Sequence, residues 1–145
     1  MVVMKTTEGG MMPMMDQGRL LQTLNPALSD TCRFGLPIDA PHAQWVAHMI
    51  QIGTCINQLN DTRHIDLFLE HSECGAVWIP ARREEALSFN SEHFARIDDH
   101  ALDGKAYGIV YAQNARFSRV RIDFVGEHEN PIPISALALI GPPTA

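Results

Sequence analysis

The chain has 145 residues, of which 46% are hydrophobic and 19% charged. This length fits one domain of ordinary size, and the composition is that of a globular rather than a disordered chain. The formal net charge of −6 argues against non-specific binding to nucleic acid, because that binding depends on the neutralisation of phosphates. No apolar run approaches the roughly 20 residues that a membrane-spanning helix needs.

The cysteines indicate a reducing compartment. Cys32, Cys55 and Cys74 are odd in number and widely spaced, which is not the pattern of a disulfide framework. The first residues also lack the apolar core of a signal peptide. We therefore expect a cytoplasmic protein with reduced thiols and no membrane segment.

The ends of the chain differ from its middle. Six methionines crowd the first 15 residues with neither a helical nor a strand period, which predicts a flexible tail over 1–15. A methionine-rich Cu(I) site is the alternative, because thioethers bind that ion. Residues 16–141 are predicted to form a single domain, and 142–145 a C-terminal tail.

Three helices are predicted in this domain. The first is short and covers 16–24. The second covers 39–60, where Asp39 can cap the helix and Pro41 lies in its first turn. The third starts near residue 90 and ends at Gly104, and a further helical segment is expected at 82–87. Apolar residues of the second helix recur at steps of three and four, as in an amphipathic helix: Trp45, Val46, Met49, Ile50, Gly53, Ile56 and Leu59.

Five strands are predicted at 65–70, 76–79, 106–112, 117–125 and 132–140, from alternating or continuous apolar residues. The order along the chain, α-α-β-β-α-β-β-β, predicts an α+β fold with helices packed on one antiparallel sheet of about five strands. This order is similar to that of PAS-like and profilin-like domains. The likeness is one of element order alone, and fold does not determine function.

The stretch HSECGAV, residues 71 to 77, carries the most reactive side chains. His71 and Cys74 have the spacing of a zinc half-site, but no second pair of ligands accompanies them. Cys74 as a nucleophile is disfavoured by the neighbouring Glu73, which opposes a lowered thiol pKa. A hairpin turn with Gly75 at positive φ is the preferred interpretation. We therefore predict no metal, no cofactor and no catalytic residue.

Three arginines follow one another on a predicted hairpin. Arg116, Arg119 and Arg121 lie near Phe117, and a strand face with arginine and an aromatic ring can bind single-stranded nucleic acid. A solvated strand face is the preferred interpretation, so nucleic acid is not expected as a partner.

The last predicted strand is apolar on both faces, since Leu137 and Leu139 point away from its other apolar residues. Such a strand needs cover on both sides. Phe117, Leu137 and Leu139 are therefore predicted to form an exposed interface for a homodimer or another protein.

The predicted function is that of a small regulatory or accessory protein that binds a protein partner or a small ligand. Two alternatives stay open at this stage. One is an enzyme whose site is assembled from scattered His, Glu and Arg residues. The other is a nucleic-acid-binding module that uses the hairpin at 116–121.

Overall fold

A computed structural model describes residues 19–81, 93–112 and 115–144, and over these residues the protein is all β. The strands are β1 (Arg19–Ser29), β2 (Arg33–Phe34), β3 (Ile38–Asp39), β4 (Trp45–Ile52), β5 (His64–Ser72), β6 (Ile79–Pro80), β7 (His93–Ile97), β8 (Ala106–Ala112), β9 (Phe117–Val125) and β10 (Ile132–Ile140). They form two antiparallel sheets. Sheet A has the order β1-β10-β4-β8, and sheet B has the order β2-β9-β5-β6, with β3 also on β9 and β7 also on β5.

The core lies between the two sheets. Alternate residues of each strand point into this space, and β-branched side chains dominate there because they pack well on a pleated surface. Each fully buried isoleucine or leucine contributes about 1.5–3 kcal/mol. The main buried cluster joins residues of both sheets: Ile50, Ile52, Ile132, Ile134 and Ala136 from sheet A, with Ile65, Leu67, Ile97, Val120 and Ile122 from sheet B.

The α+β class predicted from the sequence is wrong, and the predicted helix at 39–60 is the main error. This segment supplies β4, whose residues Val46, His48, Ile50 and Ile52 are buried on the core side. The intervening residues, such as Met49, are also mostly apolar. A strand that is apolar on both faces shows no alternation of apolar and polar residues. Some of its apolar residues are then three or four positions apart, which matches the pattern of an amphipathic helix.

The other two predicted helices are also wrong in the described residues. The first is replaced by β1, which contains Pro26 and breaks register after Gln22 and after Leu24. These register shifts are β-bulges, which disturb the alternation of apolar and polar residues along the strand. The proline is tolerated because β1 is an edge strand. The third is replaced by β7 and a turn, in which Ala101 N donates to Asp99 Oδ1 at 2.8 Å.

The last three predicted strands are confirmed, whereas the strand predicted at 76–79 is wrong, because only Ile79–Pro80 pairs with β5 and the preceding residues belong to the turn. β8, β9 and β10 have the predicted bounds, and β5 extends its prediction by a residue or two at each end. The helical segment predicted at 82–87 and the tail at 1–15 lie outside the described residues. At the C-terminus, Thr144 N donates to the carbonyl of His42 at 2.7 Å. Where the chain is described, it has no helix that could cross a membrane.

Candidate interaction surface

The outer face of sheet A is formed by residues that alternate with the core residues on all four strands. The register places Leu139 opposite both Leu20 and Ala47, and Met49 opposite both Leu137 and Gly108. The residues of this face, which we call the outer face of sheet A, are Leu20, Gln22, Trp45, Ala47, Met49, Gln51, Ala106, Gly108, Val110, Ala112, Ser135, Leu137 and Leu139.

This face is exposed, and none of its side chains is charged. Leu20 is 55% exposed, Val110 56%, Met49 41% and Leu139 38%. The Met49 methyl group lies over Gly108, where a Cβ atom would be 3.8 Å from it. The polar groups of the face are the side chains of Gln22, Gln51 and Ser135 and the indole N–H of Trp45. An uncharged sheet face of this extent is typical of an interaction site.

A crevice adjoins the polar end of this face. It has a volume of about 440 Å³, and it is lined by Gln51 and Ser135 of the outer face together with Thr54, Lys105 and Pro133. Ser135 Oγ donates to Gln51 Oε1 at 3.2 Å. None of the residues that line the crevice is acidic, and Lys105 is its only cation.

The structure separates the three residues predicted to form an interface. Leu137 and Leu139 lie together on the outer face of sheet A. Phe117 belongs to β9, on the far side of the molecule, where its ring lies 5.0 Å from the Arg116 guanidinium and against Gly75. Two of the three therefore share a surface, and Phe117 does not belong to it.

The outer face of sheet B is charged. Glu70 on β5 is buried and accepts hydrogen bonds from Arg119 Nε at 2.8 Å and from Arg121 Nη1 at 2.7 Å. Asp66, four residues earlier on β5, accepts two hydrogen bonds from Arg96, at 2.7 and 3.0 Å. The β5–β9 register explains the first arrangement, since Glu70 lies opposite Arg119 and diagonal to Arg121.

Aromatic rings cover these guanidinium groups. The Arg119 guanidinium lies 4.3 Å from the Phe34 ring and 4.2 Å from the Trp78 ring. The Arg121 guanidinium lies 3.9 Å from the Phe68 ring. Stacking of this kind is favourable, but it also occupies the ring faces that a nucleic-acid base would need.

The three arginines predicted as contacts for nucleic acid are each paired with a carboxylate. Arg116 makes two hydrogen bonds to Asp39, at 2.7 and 2.9 Å, and holds the pKa of that carboxyl below its usual value. Arg119 and Arg121 share Glu70. A phosphate would have to compete with these carboxylates, so the charge on this hairpin gives little support to the nucleic-acid alternative.

A buried polar pair between the sheets was not predicted from the sequence. His48 Nε2 and Ser118 Oγ lie 2.9 Å apart, and each residue is only 1% exposed. Burial lowers the pKa of His48 to about 4, because the charged imidazolium is poorly solvated there. His48 Nδ1 has no hydrogen-bond partner in the described residues. The pair is shielded from solvent, and among the described residues no carboxylate bonds to His48 Nδ1 as one does in a serine–histidine–aspartate triad.

His71 is paired with Ser118 in the β5–β9 register and is buried, whereas Cys74 is exposed. His71 Nδ1 is 2.7 Å from the hydroxyl of Tyr111, and both residues are buried. The half-site suggested by the spacing of His71 and Cys74 therefore does not form. Within residues 19–81, 93–112 and 115–144, no group of three or more His, Cys, Asp or Glu side chains could hold a metal ion.

The HSECGAV stretch is a hairpin connection from β5 to β6, as predicted. Gly75 has a φ of +81°, a left-handed conformation that favours glycine. Ser72 Oγ accepts hydrogen bonds from the N–H groups of Cys74 and Gly75, at 3.3 and 2.8 Å. The prediction that the pKa of the Cys74 thiol is not lowered is wrong. The N–H groups of Ala76 and Val77 donate to the sulfur at 3.4 Å and lower the pKa of Cys74.

Comparison with known proteins adds little. No protein-family model and no curated protein matches the chain. Among solved structures, a family two carbohydrate esterase from Cellvibrio japonicus is 14% identical with a TM-score of 0.35, and the match covers 88% of this chain and 36% of that one. The infectious bursal disease virus VP2 subviral particle is 11% identical with a TM-score of 0.24, covering 89% and 42%. The chain thus spans less than half of either structure, and TM-scores this low carry no argument about fold or function.

Proposed function

We propose that this protein is a non-catalytic regulatory or accessory protein that docks a protein partner on the outer face of sheet A. The observation that carries the proposal is a four-stranded face without a charged side chain, in a chain of net charge −6. Soluble proteins seldom leave such a face uncovered. A cytoplasmic location is part of the proposal, and the three free cysteines support it.

The size of the face fits the centre of a protein interface. Four strands spaced about 4.8 Å apart and seven residues long span roughly 19 by 23 Å. Specific interfaces bury about 800 Å² on each partner, with an apolar centre and a polar rim. The outer face would supply that centre, and the adjoining crevice would supply part of the rim.

The charge at the margin indicates the chemistry of the partner. Lys105 is the only cation of the crevice, and neither the crevice nor the outer face contains a carboxylate. A partner with a flat apolar surface and an aspartate or glutamate at its edge would pair with Lys105. A second copy stacked face to face offers no carboxylate there, so we infer that the partner is a different protein.

The anionic apolar dye 1-anilinonaphthalene-8-sulfonate tests whether the native face binds apolar groups. We expect the folded protein to enhance the fluorescence of the dye, and Met49→Glu to remove most of the enhancement. Val77→Glu is the matched control, because it adds the same charge at an exposed apolar residue on the side of sheet B. Thermal unfolding of each variant verifies that the dye meets folded protein.

Two results would contradict the proposal. One is a folded wild-type protein that does not enhance the fluorescence of the dye. The other is an equal loss of fluorescence in the Met49 and Val77 variants, which would place the binding of the dye elsewhere.

A further inference from the structure

β8 forms an open edge of sheet A. It is the last strand in the order β1-β10-β4-β8, so among the described residues it has a neighbouring strand on one side only. Ile52 N donates to Lys105 O at 2.9 Å, which makes these two residues a hydrogen-bonded pair just before β8 begins. Bonded and non-bonded pairs alternate along antiparallel strands. The residues of β8 whose N–H and C=O groups point away from β4 are therefore Ala106, Gly108, Val110 and Ala112.

β8 itself has none of the sequence features that usually protect an edge strand. β8 keeps one register with β4 through seven consecutive pairs, and it contains neither a charged residue nor a proline. The opposite edge, β1, has two register shifts and contains Pro26. In sheet B the outer strands are two residues long, except β7, which carries Arg96. A long, regular, uncharged edge is a template for pairing with another strand.

We propose that two copies of this chain pair β8 with β8 in antiparallel orientation about a twofold axis at Ile109. In that register Gly108 lies opposite Val110 of the second copy, and Ala106 lies opposite Ala112. All the outward N–H and C=O groups of both strands then find partners, which gives about eight hydrogen bonds. The two four-stranded sheets become one sheet of eight strands.

The side chains of β8 favour a second copy of this chain as the occupant. On the outer face the opposing residues are small, alanine with alanine and glycine with valine, so the strands meet without a clash. On the inner face Ile109 lies opposite Ile109 of the second copy and supplies the contact there, because Tyr111, opposite Tyr107 in this register, is already buried within its own chain. Because β8 carries no charge, two chains of net charge −6 can approach each other there with little local repulsion.

This pairing does not depend on the proposed function, and it is compatible with it. Edge-to-edge association leaves the outer face of sheet A uncovered and places the faces of two copies side by side. Met49→Glu, which should disable the outer face, should therefore leave the dimer intact. The two proposals can fail separately.

Sedimentation equilibrium of the full chain at micromolar concentrations is the first test. We expect a mass of about twice the 16.1 kDa of one chain for the wild type and for Met49→Glu. Val110→Pro should give a monomer, because it removes an N–H that points to the open edge and breaks no bond to β4. Val110→Thr keeps that N–H and should remain a dimer. A monomeric wild type, or a dimer indifferent to Val110→Pro, overturns the proposal.

Amide hydrogen exchange of the wild type gives a second test that requires no variant. The amides of Gly108 and Val110 should exchange slowly in the dimer and several-fold faster after dilution to monomer. The amide of Ile109, which bonds to β4, should stay protected in both states. A dimer in which Gly108 and Val110 exchange rapidly would place the interface elsewhere and overturn the proposal.

Discussion

Glu70→Ala should lower the free energy of unfolding by about 3 kcal/mol, because Arg119 loses its carboxylate partner and Arg121 keeps only the longer contact with Asp123, at 3.3 Å. Glu70 is buried and is bonded to Arg119 at 2.8 Å and to Arg121 at 2.7 Å. Removal of one member of a buried ion pair costs more than the pair itself contributes, since the remaining charge is poorly solvated. The expected loss is at the low end of the range for breaking a buried ion pair, because both arginines are partly exposed to solvent.

Asp39→Ala is the matched control. It removes the carboxylate bonded to Arg116 in a pair with both partners exposed, so solvent replaces the lost bonds and stability should be nearly unchanged. Urea unfolding of both variants measures the difference. Equal destabilisation by the two substitutions would show that burial of Glu70 does not determine the stability of sheet B.

Acid should destabilise the protein through His48. Its folded-state pKa is about 4, below the ordinary value of 6.5, so the unfolded chain binds the proton first as the pH falls. Its contribution to stability is fully present above pH 6.5 and is lost as the pH falls to about 4. The loss amounts to about 3 kcal/mol over that interval, and to about 2 kcal/mol between pH 7 and pH 5.

Comparison of the wild type with His48→Gln isolates this effect. The glutamine does not titrate, whereas all other groups titrate in both proteins. Urea unfolding at pH 7 and pH 5 should therefore show a smaller loss of stability in the variant, whatever its stability at pH 7. Equal losses in the two proteins would mean that His48 is not buried in its neutral form.

The sequence predicts part of this fold well. β8, β9 and β10 alternate or are bounded by turn residues, and their bounds are predicted correctly. The errors occur in strands whose sequence does not show the two-residue alternation of apolar and polar side chains. β4 is apolar on both faces, and β1 is interrupted by bulges that no local pattern reveals. Both segments form strands because of their tertiary contacts, which cannot be inferred from the periodicity of the local sequence.

The candidate sites differ in how far the sequence predicts them. The exposure of Leu139 follows from a strand that is apolar on both faces, and this was predicted. The charged cluster on sheet B depends on the register between β5 and β9, which a single sequence does not specify. His48 and Ser118 are 70 residues apart, and nothing in either local sequence indicates that they meet.

The outer face of sheet A is tested most directly by the rate at which hydroxyl radicals oxidise the Met49 side chain. This rate is measured by mass spectrometry, for the purified protein and for the same protein in an extract of its native cells. We predict a several-fold slower oxidation of Met49 in the extract, where its partner is present. Phe34, an exposed side chain on sheet B, provides the internal reference and should react at the same rate in both samples. Oxidation of Met49 at the same rate in both samples, relative to Phe34, would contradict the assignment of this face as the binding surface.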